Sequence, residues 1–172
     1  RATRPHATAQ PASHFPKDAL PAYDKAVQAL VFRSDSPVVK ENRTITVQAL
    51  GCTGGLKIGA DFLRRVAPKA VVWISDPSWE NHRALFGDAG FTVNTYPYYD
   101  AQTHGVDFDA MLGGLRTIPS GWIVVMHACF HNPTGVDITP ARWTSVIEVA
   151  GSRGLGRAID IASRMRTGNC PL

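Results

Sequence analysis

A repeated alternation constrains this chain more than any other feature. Short continuous apolar runs take turns with longer segments in which apolar residues recur every three or four positions. The runs lie at 70–75 (AVVWIS), 91–96 (FTVNTY), 122–127 (WIVVMH) and 155–161 (LGRAIDI). Between them, His82, Leu85, Phe86 and Ala89 fall at helical spacing, as do Phe108, Met111, Leu112 and Leu115, and then Trp143, Val146, Ile147 and Ala150. A strand buried on both faces needs a near-continuous apolar run. Strands that alternate with helices pair in parallel. The expectation is an α/β fold: a mostly parallel sheet with helices on both faces. In such sheets ligands bind beyond the carboxyl ends of the strands.

Ahead of this pattern, 19–32 reads as a helix with Tyr23, Val27, Leu30 and Val31 on one face. A polar connection over 34–42 follows, then a β-branched strand over 44–49. The GCTGG segment at 51–55 reads as a glycine-rich turn leading into a helix over 56–66. Asp76 is the expected cap of the next helix, with Pro77 in its first turn, and Gly90 is its expected end. Thr139 and Pro140 form a cap and first-position pair.

Bulk composition narrows the class. A chain of 172 residues can bury one domain-sized core, and 44% hydrophobic with 19% charged residues argues against disorder. No stretch reaches roughly 18 apolar residues, so no membrane helix is expected. The net charge of +4 is spread without a dense basic run, which gives nucleic acid no footprint. Three cysteines, Cys52, Cys129 and Cys170, do not build a disulfide framework. Reduced thiols in the cytoplasm are the expectation. Residues 1–13 carry no acid and no apolar core, so a secretory signal is not expected. They read as a truncated or ragged start before they read as a transit-like tail.

Four constellations follow the runs. Gly51–Gly55 precedes a helix, and glycines there let backbone N–H groups approach an anion, with Thr53 adding a hydroxyl. A plain tight turn explains the same residues. The segment Asp76–His82 (DPSWENH) puts Trp79 at a strand end, as a stacking face or as packing. The segment His127–Gly135 (HACFHNPTG) makes a sharp turn that displays Asn132. Strand alternation would set His127, Cys129 and His131 on one side, which permits a zinc reading, but a fourth ligand and a finger-like spacing are lacking. Hydrogen-bonded structural histidines are the simpler reading, and no metal is expected. Asp160 ends the last run, as a cap or as a partner for a cation in the cleft. Cys52 at a helix start admits a lowered pKa and nucleophilic chemistry, though no matching Cys/His signature frames it.

Taken in order, VQALGCTGGLKIGADFL, VWISDPSWENHRALFGDAGF, TYPYYDAQTHGVDFDAML and HACFHNPTGVDITPARW resemble the aspartate/aromatic amino acid aminotransferases of fold type I, over about residues 14–162. GADFL and TYPYYD lean toward the aromatic branch. The resemblance implies part of the large domain of a pyridoxal 5'-phosphate (PLP) enzyme. In domain terms it implies an irregular segment over 1–18, a partial cofactor-binding domain over 19–162, and a tail over 163–172 unlike the family. It implies roles residue by residue. Cys52 and Thr53 match the turn on the cofactor phosphate. Trp79 matches the indole stacked on the pyridine ring. Asn132 matches the amide on the ring 3-oxygen, and Trp79 and Asn132 also border the substrate. Asp160 matches the carboxylate on the ring nitrogen. His82 and His127 match the histidines that orient that carboxylate. Cis bonds are implied at Asp76-Pro77 and Asn132-Pro133. Amino acid and 2-oxo acid substrates and a homodimer follow from the same likeness.

The sequence departs from the family at several positions. Cys52 stands where a small residue, often glycine, is usual. His14 and Ser163 stand where the family has tyrosines that touch the cofactor. The Schiff-base lysine and two arginines of the family lie beyond the equivalent of Asp160. The five lysines here (Lys17, Lys25, Lys40, Lys57, Lys69) match none of those contexts. Two expectations therefore stand side by side: an aminotransferase by descent, and a non-catalytic product with residual phosphate or PLP binding.

Overall fold

The computed structural model describes residues 20–161. His14, Lys17, Ser163, Cys170 and the two terminal segments read from the sequence lie outside the described residues. The chain divides into two compact units, Arg1–Leu50 and Gly51–Leu172.

The first unit carries helices α1 (Pro21–Phe32) and α2 (Pro37–Lys40). A proline opens each helix, where its missing N–H costs no hydrogen bond. Ser36 caps α2 by accepting from the Val38 amide at 3.3 Å, so the expected polar connection contains a helical turn. The predicted apolar face of α1 is not buried: Tyr23 and Leu30 are exposed, and no residue of the helix is fully covered. The strand expected over 44–49 does not form. Those residues find no neighbouring strand, and Ile45 is 88% exposed. β-branched side chains favour a strand only where a pleated neighbour packs against them.

The second unit is the alternating one. It runs α3 (Gly51–Val66), β1 (Val72–Asp76), α4 (Glu80–Asp88), β2 (Val93–Pro97), β3 (Tyr99–Asp100), β4 (Gly105–Val106), α5 (Phe108–Thr117), β5 (Ile123–His127), α6 (Pro140–Ser152) and β6 (Gly156–Asp160). Four strands form a wholly parallel sheet in the order β2-β1-β5-β6. β3 and β4 make a small antiparallel hairpin that the sequence pattern did not announce. Strand alternation sorts the core into two layers. Ile123 and Val125 face a cluster with Ala60 of α3 and Phe86 of α4. Val124 and Met126 face the other cluster, with Leu115 of α5 and Val146 of α6. Helices thus cover both faces, as the apolar runs require.

Two local expectations are corrected. GCTGG is the first turn of α3 itself, not a turn before it, and only Gly51 takes a positive φ (66°). Asp76 ends β1 and does not cap α4. Asp76-Pro77 is cis, and Trp79 is the residue before the helix. The cap predicted at Thr139 does form, accepting from the Arg142 amide.

The strand order reverses between β1 and β5. From β1 the chain moves outward to β2, then returns to the opposite side of β1 as β5. Register pairs His127 of β5 with Asp160 of β6, so their carboxyl ends lie level. A crevice at such a switch point is where sheets of this type take ligands.

Candidate active site

The loops after β1 and β5, the end of β6 and the start of α3 converge on one cavity. It measures about 200 Å³ and is lined by Cys52, Trp79, His127, Cys129, Asn132 and Asp160. Six residues singled out in the sequence (Cys52, Trp79, His127, Cys129, Asn132 and Asp160) are therefore brought together. Thr53 sits exposed in the first turn of α3 and is not among the lining residues.

Asp160 is the best-supported group. It is 8% exposed, and its Oδ2 lies 3.2 Å from His82 Nε2. His82 is fully buried on α4, and its Nδ1 lies 3.0 Å from Ser78 Oγ. Helical spacing makes this possible: Ser78 and His82 are four residues apart at the entry to α4. That spacing could have marked Ser78 in the sequence as a supporting residue. Trp79 meets the His82 ring edge-on at 5.6 Å.

His127 and His131 do not behave as alternating strand residues. β5 stops at His127, and Phe130 adopts a φ of 53°, which breaks the alternation. His131 uses both ring nitrogens, Nε2 with Ser75 Oγ at 2.9 Å and Nδ1 with Thr134 Oγ1 at 2.8 Å. Tyr98 stacks on it at 3.9 Å. The alternative His127–Cys129–His131 zinc reading is thus dismantled, because His131 has no lone pair left to offer. The metal-competent group among the described residues is instead His82, His127 and Asp160, whose ligand atoms all lie within 4.8 Å of one another. The turn that carries Asn132 is pinned by Asp137, which sequence reading missed. Its carboxylate accepts from the Phe130 and His131 amides at 2.7 and 2.9 Å. Asn132-Pro133 is cis.

Electrostatics separate these groups. Burial, reinforced by His82, pushes His127 down from 6.5 to about 4. Burial, with His127 and His82 nearby, pushes His131 down to about 3. Both rings are neutral at pH 7. Cys52 moves opposite to the nucleophile expectation. Burial and then the Asp160 carboxylate, 3.9 Å from its Sγ, raise its thiol pKa.

The neutral histidines set a pH window for stability. In the folded state each ring resists protonation down to about 4 or below, whereas the unfolded ring takes a proton near 6.5. Unfolding therefore takes up protons between these values. Stability is fully present above 6.5 and is lost as pH falls through the window. The urea midpoint is expected to fall between about pH 7 and about pH 5, and to fall less for His131→Gln. A flat midpoint across that range would contradict the assignment.

The cavity suits the cofactor that the sequence likeness implies. A buried carboxylate bonded to a histidine lines it, as an indole does, and the first turn of α3 carries no acidic residue that would repel a phosphate. The aminotransferase class I and II family model matches residues 2–162. The chain belongs to this family. Among relatives, the aromatic-amino-acid aminotransferase of Escherichia coli (strain K12) is 49% identical over 149 residues, covering 87% of this chain and 38% of that protein. The aspartate aminotransferase of Pseudomonas aeruginosa is 49% identical over 152 residues, covering 88% of this chain and 38% of that protein. Among solved structures, an aromatic amino acid aminotransferase from Burkholderia cenocepacia J2315 superposes with a TM-score of 0.87 at 51% identity, over 89% of this chain and 38% of that one. The aromatic-amino-acid aminotransferase of Burkholderia pseudomallei, covalently bound to pyridoxal phosphate, gives 0.86 at 57%, over 88% and 38%. The chain therefore spans about 38% of the length of these relatives. The fold matches a part of the large domain of fold type I aminotransferases. Among the described residues no helix is long and apolar enough to cross a membrane.

Proposed function

We propose that this aminotransferase chain belongs to a PLP-dependent enzyme that moves an amino group from an aromatic amino acid or aspartate to 2-oxoglutarate. The observation that carries the reading is Asp160, buried, bonded to His82, and facing a cavity shared with Trp79 and Asn132. Bound there, the cofactor supplies the electron sink for charge left on the substrate's α-carbon. Asp160 keeps the ring nitrogen protonated, and His82 and His127 hold the carboxylate in place. Trp79 offers its indole face to the ring and, from the same place, borders the substrate. Asn132 donates to the ring 3-oxygen and lies beside the substrate carboxylate. Cys52 and Thr53, in the first turn of α3, direct backbone N–H groups at the phosphate. The whole enzyme is a homodimer in the cytoplasm on this reading.

One observation favours a second reading, in which this chain binds PLP without turnover: among the described residues, none that lines the cavity is a lysine. Lys57 on α3 pairs with Asp61 on an exposed surface. Titrating the purified chain with PLP separates the two. A shift in absorption that borohydride fixes covalently, and that an aromatic amino acid reverses beforehand, supports the enzyme. Saturable quenching of Trp79 without fixation supports the second reading. Absence of any saturable binding would sink both.

A further inference from the structure

We propose that His82, His127 and Asp160, with Cys52 at the rim, form a zinc-type divalent-cation site that a cation occupies in place of the cofactor ring. The donor atoms of the first three lie within 4.8 Å of one another. Two of those residues are buried, and the cavity of about 200 Å³ reaches His127, Asp160 and Cys52 from the open side. Imidazole, carboxylate and thiolate are the donor types zinc takes. Ligands at about 2.0–2.3 Å from a tetrahedral zinc stand about 3.3–3.8 Å apart. His82 Nε2 and Asp160 Oδ2 are already at 3.2 Å.

Three details of bonding point the same way. His127 Nε2 is buried and makes no hydrogen bond. A buried polar atom without a partner is costly, and a cation would satisfy it. His82 has Ser78 Oγ on its Nδ1 at 3.0 Å. A proton between Nε2 and the Asp160 carboxylate makes that contact a hydrogen bond in the free chain, and a metal would take the proton's place, with Nδ1–H then donating to Ser78 Oγ. A hydrogen-bond partner on the far nitrogen is also what orients a metal-bound histidine. The third detail is Cys52, whose Sγ lies 3.9 Å from the other Asp160 oxygen. On metal binding the thiol proton and any proton shared by His82 and Asp160 leave to solvent, so uptake strengthens as pH rises.

The cation needs Asp160, and so does the proposed ring nitrogen contact, so the two occupants exclude each other. That exclusion alone rests on the cofactor reading. The test uses the full chain, stripped with a chelator, and zinc or cobalt ions alone. Calorimetry is expected to give one zinc per chain, weakened at least about tenfold in His127→Gln and in Asp160→Asn. Cobalt is expected to give the intense visible bands of a four-coordinate site and a thiolate-to-metal band that Cys52→Ser removes. The cobalt spectrum of the unaltered chain keeps the proposal testable if a variant does not fold. A weak six-coordinate spectrum, no saturable uptake, or zinc affinity unchanged by both substitutions would overturn the site. PLP at saturation is expected to suppress zinc uptake. Zinc binding without PLP binding would leave the metal site standing and remove the cofactor reading. PLP binding without zinc binding would do the reverse.

Discussion

Asp160→Ala is expected to weaken PLP binding by roughly two to three and a half orders of magnitude. Asp160 is 8% exposed, so its charge is held in a poorly hydrated place. Removing one partner of a buried charge pair costs roughly 3–5 kcal/mol, because the other charge is left uncompensated. At about 1.4 kcal/mol per tenfold, that is the stated range. Asp160→Asn keeps the shape and one accepting oxygen, and should fall between the alanine variant and the unaltered chain. The alanine variant also strands His82 Nε2, which is fully buried. A buried polar group without a partner costs about 1–3 kcal/mol, so the urea midpoint should fall as well. Equilibrium dialysis of PLP, under conditions where circular dichroism shows the variant folded, separates the two effects. An affinity within about threefold of the unaltered chain would remove Asp160 from the cofactor site.

Leu115→Ala is expected to destabilise the chain by about 2–5 kcal/mol. Leu115 on α5 is 0% exposed and belongs to the core layer with Tyr96, Val124 and Val146. That layer holds α5 and α6 against one face of the sheet, so truncation leaves a cavity between three elements. Small domains have total stabilities of only about 5–15 kcal/mol. Ile147→Ala on α6 is the control, since Ile147 is 51% exposed. It should change stability by no more than about 0.5 kcal/mol. Urea unfolding of both variants checks the contrast. Equal losses would mean that the α5–α6 layer is not the core that the structure describes.

Much of the second unit is legible in the sequence. All four apolar runs became strands of one parallel sheet, because a strand covered on both faces cannot hide polar side chains. The cavity residues were also legible, since sheets of this type gather ligands at strand ends and the family wording marks Trp79, Asn132 and Asp160. Three things were not. The run over 44–49 has strand composition and no strand neighbour, and pairing is a property of the fold. The hairpin β3–β4 uses two residues per strand, too few to show a period. The metal-competent set changed from His127, Cys129 and His131 to His82, His127 and Asp160.

That last change marks the division between what sequence and tertiary structure each decide here. The linear order of residue types determined the alternation, the sheet, the aminotransferase family and the strand ends at which chemistry gathers. These are local or periodic properties, carried by residues a few positions apart. Only the tertiary structure decided which polar groups meet. Asp160 lies 78 residues from the histidine that holds it and 108 from the cysteine whose thiol pKa it raises. His131 is silenced by a serine 56 residues away. Hydrogen bonds and Coulomb terms act over a few ångströms of space, whatever the separation along the chain. The partner of each titratable group, and with it the state in which that group works, is therefore set by the packed fold.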